Sequence, residues 1–133
     1  LMNPIKEKVN KLGISDNVIF LGVRNDIDEI MLAMDVFVLP SSFEGLGIVA
    51  IEAQSVGLPC FVSNNVPEDV DITELVSHIS LEKPPRYWAE KIFESVNLSK
   101  DQPRKGFARE IRKANYDTAA NAKWLEDFYI NLN

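Results

Sequence analysis

The sequence predicts an α/β protein in which a parallel β-sheet is covered by helices on both faces. Two observations predict it: short segments are apolar at every position, and they alternate with longer segments whose apolar residues recur at helical spacing. A strand is apolar throughout when both of its faces are buried, as in parallel sheets between helices. The 133 residues suffice for one domain with its own core, so we expect a single doubly wound domain over 1–133.

Each predicted element follows from its local pattern. Apolar runs predict strands at 18–21, 36–39, 60–63 and 77–81, the last a weaker strand placed on an edge because it is less apolar. Helical spacing, capping residues and terminating glycines predict helices at 4–12, from Asn25 or Asp26 to Met34, and at 47–56, 85–97, 104–115 and 117–131. Ligands of doubly wound sheets bind beyond the carboxyl ends of the strands. The loop at 41–47 therefore lies at the predicted ligand-binding edge.

Charge and composition exclude several classes of protein. The net charge of −6 argues against nucleic acid as a partner, and no apolar run approaches the roughly 20 residues that span a bilayer. The single cysteine, Cys60, is predicted to be a small buried hydrophobe of a reducing cytoplasm. One segment, 100–113, has six basic residues against two acids. It predicts either a solvated helix face or a contact with a lipid surface or a partner domain.

Two glutamates stand out in the stretch SSFEGLGIVAIEAQSVGLP at 41–59. Glu44 lies in a loop beside Gly45 and Gly47, and Glu52 lies one turn inside the following helix. A helix N-terminus offers free N–H groups and a positive dipole end to a phosphate, and the glycines let the backbone approach a ligand closely. The carboxylates can accept hydrogen bonds from sugar hydroxyls. This combination favours a nucleotide-sugar as the ligand.

The same residues also allow an interpretation without any ligand. Ser41 and Glu44 match a capping box, in which an acid near a helix start is favourable by itself. Glu52 would then simply face solvent. Spacing alone leaves both interpretations open.

The motifs around the glutamates resemble a known family. They are Phe20-Leu21-Gly22, the run DVFVLPS at 35–41, Glu44-Gly45-Leu46-Gly47, Glu52-Ala53 and Gly57-Leu58-Pro59. With seven residues between Glu44 and Glu52, they resemble the donor-binding domain of group 1 (family 4) glycosyltransferases, most closely bacterial exopolysaccharide and capsule enzymes. The resemblance covers nearly the whole chain.

The resemblance implies a fold, a reaction and a set of site residues. The fold is the C-terminal, Rossmann-like domain of a GT-B glycosyltransferase, and the reaction retains the anomeric configuration without a cofactor or a metal ion. Glu44 would be catalytic through contact with the donor sugar, and Glu52 would bind the ribose hydroxyls. The remaining donor-binding residues implied are Gly45, the backbone amides of Leu46, Gly47, Ile48 and Val49, and, near the base, Val23 and Arg24.

The chain also departs from the family pattern. No residues match the arginine and lysine that neutralise the diphosphate, and the N-terminal acceptor domain has no counterpart. Glu68 resembles a family acid near the donor, but the glycine pair before it is missing. We therefore expect a partial domain that by itself binds nucleotide-sugar weakly and transfers nothing. A non-catalytic nucleotide-binding or protein-interaction module remains the alternative.

The resemblance extends to partners and location. It implies a cytoplasmic enzyme of surface polysaccharide synthesis with a glycan or lipid-linked acceptor, either free in the cytoplasm or in peripheral contact with the inner face of the membrane. It also implies that two strands are missing between 18–21 and 36–39. We expect the strands at 18–21 and 36–39 to pair directly with each other, or the chain to associate with a second copy.

Other chemistry-bearing residues have simpler interpretations. Asp26 and Asp28 match the DxD motif of metal-dependent glycosyltransferases, but their position at a helix start predicts N-capping instead. His78, the only histidine, is predicted to be structural because no acid or thiol is near it in the sequence. Trp88 and Trp124 lie in amphipathic helices and are predicted to be core residues.

Overall fold

The structure is a computed structural model that describes residues 2–99 and 103–132. Its strands are β1 (Phe37–Leu39), β2 (Cys60–Ser63) and β3 (Val76–Ile79). Its helices are α1 (Met2–Lys11), α2 (Ile27–Leu32), α3 (Ile48–Ser55), α4 (Pro85–Ser99), α5 (Ala108–Lys113) and α6 (Thr118–Ile130). Short 3-10 turns occupy Ser15–Asn17 and Glu68–Val70.

The sheet is parallel, with the order β1-β2-β3. Cys60 pairs with Phe37 of β1 on one side and with Val76 of β3 on the other. All of β2 is buried because it is the central strand, whereas β3, at an edge, has one buried, one exposed and two partly buried residues. The α/β class and the edge position of the strand predicted at 77–81 are confirmed.

Helices cover both faces of this sheet. On one face, Cys60 and Val62 of β2 pack with the buried side of α3 and with Ile111 of α5. On the other face, Phe61 packs with Ile79 and with Trp88 of α4. Successive residues of one strand point to opposite faces, so β2 supplies both apolar clusters.

The segment 18–21 is not a strand, so that prediction is wrong. Ile19 is 83% exposed, and β1 pairs with β2 but with no segment from 18–21 among the described strands. Direct pairing of the two segments is therefore also wrong. An apolar run needs a neighbouring strand for its backbone groups before it forms a ladder. Association with a second copy stays a prediction.

The two ends of the chain contribute little to the core. Helices α1 and α6 contain no buried residue. Trp124 is 65% exposed, so its predicted core position is wrong, whereas that of Trp88, at 8%, is confirmed. Trp124 instead stacks on Phe128, with ring centroids 5.6 Å apart. In the part of the chain that the structure describes, no helix is long and apolar enough to cross a membrane.

The basic segment is only partly helical. The helix predicted at 104–115 begins at Ala108, and Lys100 lies outside the described residues. Arg104 donates to the carbonyls of Met31 (3.3 Å), Leu32 (3.1 Å) and Met34, where α2 ends. A cation there satisfies free carbonyls and complements the helix dipole. Arg104 is therefore a helix cap and not part of a solvated helix face.

Candidate active site

The loop after β1 carries the first glutamate at the carboxyl edge of the sheet. The Ser41 hydroxyl donates to Oε1 of Glu44 at 2.8 Å, and the Glu44 side chain is half-buried. The N-cap of α3 is Gly47, three residues beyond Glu44, and no side chain caps it. The capping-box interpretation of Ser41 and Glu44 is therefore wrong, although the two side chains do bond to each other.

Gly47 sets the path of the backbone into α3. Its φ of +80° is left-handed, and a Cβ there would lie 3.2 Å from Cγ1 of Val66. The Ala50 amide donates to the Gly47 carbonyl at 2.9 Å. The amides of Ile48 and Val49 precede it at the start of the helix, where helix geometry provides no backbone acceptor, so they can donate to an external group. Glycine is required here both for backbone conformation and for space.

The space around the rest of the loop is open. A Cβ at Gly45 would meet nothing within 4 Å, and Leu46 is half-buried against the core. Glu52 is exposed one turn beyond Ile48, which is also exposed. Glu52 and Ile48 therefore share the solvent-facing side of α3, while Ile51 and Ala53 point into the core.

A buried glutamine, which the sequence analysis missed, fixes α3 in place. Gln54 donates from Nε2 to the carbonyls of Ala50 (3.0 Å) and Val70 (2.8 Å). Its Oε1 accepts from the amide (3.0 Å) and the hydroxyl (2.9 Å) of Thr73. Each polar group of the Gln54 side chain has a partner, as burial demands. A polar residue at a core-facing helix position was the signal for this role.

The loop after β2 clamps the loop after β1. Ser63, fully buried at the end of β2, donates through its hydroxyl to the Ser41 carbonyl. Its Oγ also accepts from the amide of Asn65 at 3.3 Å, and Nδ2 of Asn65 donates to the Ser42 carbonyl at 2.9 Å. Nothing in the sequence pattern predicts this network, because its partners are about 20 residues apart.

The structure holds Arg24 beside an acid of its own loop. Val23 is 99% exposed, and Nε of Arg24 donates to Oδ1 of Asp26 at 2.8 Å. This hydrogen bond lowers the pKa of Asp26 and raises that of Arg24. Asp26 is the N-cap residue of α2 by position, but its side chain makes no cap hydrogen bond. The prediction of side-chain capping by Asp26 is wrong, because the carboxylate pairs with Arg24 instead.

The remaining polar candidates lie in or near the later strands. Glu68 is exposed in the 3-10 turn that follows β2. His78 does have an acid nearby, since its Nε2 lies 2.9 Å from Oδ1 of Asp71. Cys60 is buried as predicted, and burial raises its thiol pKa to about 12. The thiol therefore stays protonated near neutral pH and is a poor nucleophile.

Comparison with protein families identifies the chain. The model of the family described as "Glycosyl transferases group 1" matches residues 2–114. The chain belongs to this family. It is 37% identical over 97% of its length to EpsF of Bacillus subtilis (strain 168), a protein that carries a glycosyltransferase name. It is 49% identical over 48% of its length to the UDP-Gal:alpha-D-GlcNAc-diphosphoundecaprenol alpha-1,3-galactosyltransferase of Escherichia coli.

A solved structure supports the fold assignment. It is WaaG, a glycosyltransferase involved in lipopolysaccharide biosynthesis, which matches 86% of this chain with a TM-score of 0.67 and 23% identity. The chain covers 30% of WaaG, 34% of EpsF and 17% of the galactosyltransferase. The α/β sheet of this chain thus has the GT-B type of fold.

Proposed function

We propose that residues 41–52 form one wall of the donor site of a retaining glycosyltransferase. The enzyme would transfer a sugar from a nucleotide-sugar to a glycan or lipid-linked acceptor in surface polysaccharide synthesis, in the cytoplasm and without a metal ion. One observation carries the proposal: the N-terminus of α3 lies at the carboxyl edge of the sheet, with Glu44 before it and Glu52 one turn inside it.

The start of α3 suits the diphosphate of the donor. The amides of Ile48 and Val49 and the helix dipole attract negative charge, and the open space beside Gly45 leaves room for a close approach. As the bond to the sugar breaks, charge builds up on the leaving diphosphate. Donors that are already oriented stabilise that charge without reorganisation.

The two carboxylates suit the hydroxyl groups of the donor. Glu52 is exposed on the solvent-facing side of α3, where its two oxygens could accept from the vicinal hydroxyls of a ribose. Glu44, held by Ser41, would contact and orient the transferred sugar. Val23 and Arg24 would lie near the base, and Arg24 keeps N–H donors beyond those it gives to Asp26.

Exposed apolar surface favours a second candidate, a protein-interaction module that transfers nothing. Helix α6 carries the exposed aromatic residues Trp124, Phe128 and Tyr129, which suit a contact with another protein. In that function, Glu44 and Glu52 would be solvated surface acids. The two candidates differ in whether the chain binds a nucleotide.

Calorimetric titration with UDP, GDP and their sugars separates the two functions. The protein is the natural polypeptide that carries these residues, in wild-type form and as Glu52→Gln. We expect Glu52→Gln to weaken nucleotide and nucleotide-sugar binding about tenfold, the worth of one charge-assisted hydrogen bond. Glu126→Gln, on exposed α6, is the matched control and leaves the affinity unchanged. Unchanged binding in Glu52→Gln, or no binding by the wild type, would refute the donor site.

A further inference from the structure

We infer that Ser41 and Ser63 are positioning residues that aim the Glu44 carboxylate at the donor sugar. The inference rests on the proposed function, which gives Glu44 its ligand. A hydrogen-bonded chain runs from the end of β2 through Ser63 and Ser41 to Oε1 of Glu44. Neither serine needs to touch the donor for this role.

The Ser41 hydroxyl has a single proton and two acceptors within reach. Oε1 of Glu44 lies at 2.8 Å and the Phe43 carbonyl at 3.1 Å. Hydrogen bonds to a carboxylate oxygen are the shorter and stronger kind, so the Ser41 hydroxyl donates its hydrogen bond to Glu44. The bond occupies Oε1 and leaves Oε2 for a sugar hydroxyl.

Ser63 connects this loop to the rigid centre of the sheet. Its side chain is fully buried at the last position of β2, and its Oγ donates to the Ser41 carbonyl. Asn65 adds a second link through the Ser42 carbonyl. The backbone of Ser41 is thus fixed from β2, and its hydroxyl is held by its own hydrogen bond to Glu44.

The consequence for catalysis is orientation. A glutamate on an open loop has several rotamers, and ordering its side chain at the moment of binding costs about 1–2 kcal/mol. Hydrogen bonds that hold the carboxylate beforehand remove part of this cost. The benefit applies only to ligands that contact Glu44, which are those with a sugar beyond the diphosphate.

The test compares the affinity for a nucleotide-sugar with that for its nucleoside diphosphate. Calorimetry is run on the natural polypeptide as wild type, Ser41→Ala, Ser41→Thr, Glu44→Ala and the double variant. We expect Ser41→Ala to weaken nucleotide-sugar binding about five- to tenfold and to leave nucleoside diphosphate binding unchanged. Ser41→Thr keeps the hydroxyl and restores the affinity. In the Glu44→Ala background, Ser41→Ala has no further effect, because it acts through Glu44.

Each other outcome has a definite meaning. If the wild type binds neither ligand, the proposed function fails and this inference fails with it. If the wild type binds and Ser41→Ala keeps the full preference for the sugar, only the inference fails. Equal losses for both ligands in Ser41→Ala, or a further loss in the Glu44→Ala background, also overturn it, because Ser41 would then support the loop as a whole.

Discussion

The two ends of the parallel sheet are built differently. At the carboxyl end, the loop at 41–47 is open beside Gly45, carries a half-buried carboxylate and is fixed by side-chain hydrogen bonds. At the amino end, a cavity of about 1130 Å³ lies between the end of α3, helix α4 and the segment 103–107.

Two polar groups at the amino end have structural partners. Arg104 gives its donors to three carbonyls at the end of α2. The Ser55 carbonyl accepts from the Phe107 amide at 3.0 Å. The comparison shows what the proposed donor site rests on: the helix-start amides and the carboxylates at the carboxyl end, and not the volume of a cavity.

The largest predicted effect lies at the amino end, at Gly57. Its φ is +76°, and a Cβ there would lie 2.2 Å from the carbonyl oxygen of Lys105. Gly57→Ala therefore adds a backbone clash to left-handed strain, which alone costs about 1–3 kcal/mol, and we expect it to lower the free energy of unfolding by more than 3 kcal/mol. Urea denaturation measures this change.

Gly13→Ala is the matched control for Gly57→Ala. Gly13 has a similar φ of +66°, but a Cβ there would meet nothing within 4 Å. We expect about 1 kcal/mol of destabilisation from strain alone. An equal loss of unfolding free energy in the two variants would contradict the close packing of the segment 103–107 against the end of α3.

A smaller effect is predicted for the Arg104 cap. Arg104→Ala removes a cation and its hydrogen bonds from the end of α2, and we expect a loss of about 1–2 kcal/mol in unfolding free energy. Arg86→Ala removes an exposed pair with Glu90 and is expected to cost about 0.3 kcal/mol. The affinity for a nucleotide-sugar should stay constant in both variants. A tenfold loss of that affinity in Arg104→Ala would indicate that the donor site lies at the amino end of the sheet instead.

Local patterns predicted the centre of the fold well. The strand at 60–63 and the helix at 47–56 were predictable because burial on both faces leaves a continuous apolar run and Gly57 ends the helix. The positions of Glu44 and Glu52 relative to the sheet followed from the same rules. Their roles at the donor site stay predictions.

Features that depend on distant neighbours were not predictable. The run at 18–21 has the composition of a strand, but no strand lies beside it in the described structure. Trp124 has helical periodicity around it, but α6 has no described surface that covers it. The hydrogen bonds from Ser63 and Asn65 to the loop after β1 connect residues far apart in the sequence, and local periodicity cannot predict such pairs.

Amide hydrogen exchange with and without nucleotide-sugar tests the central claim most directly. The natural polypeptide is compared at a saturating concentration of the UDP- or GDP-sugar that binds. The account predicts added protection at the amides of 45–52, at the carboxyl end of the sheet, and no change at 55–59 or 104–107. Protection confined to 55–59 and 104–107, around the cavity at the amino end, would contradict it.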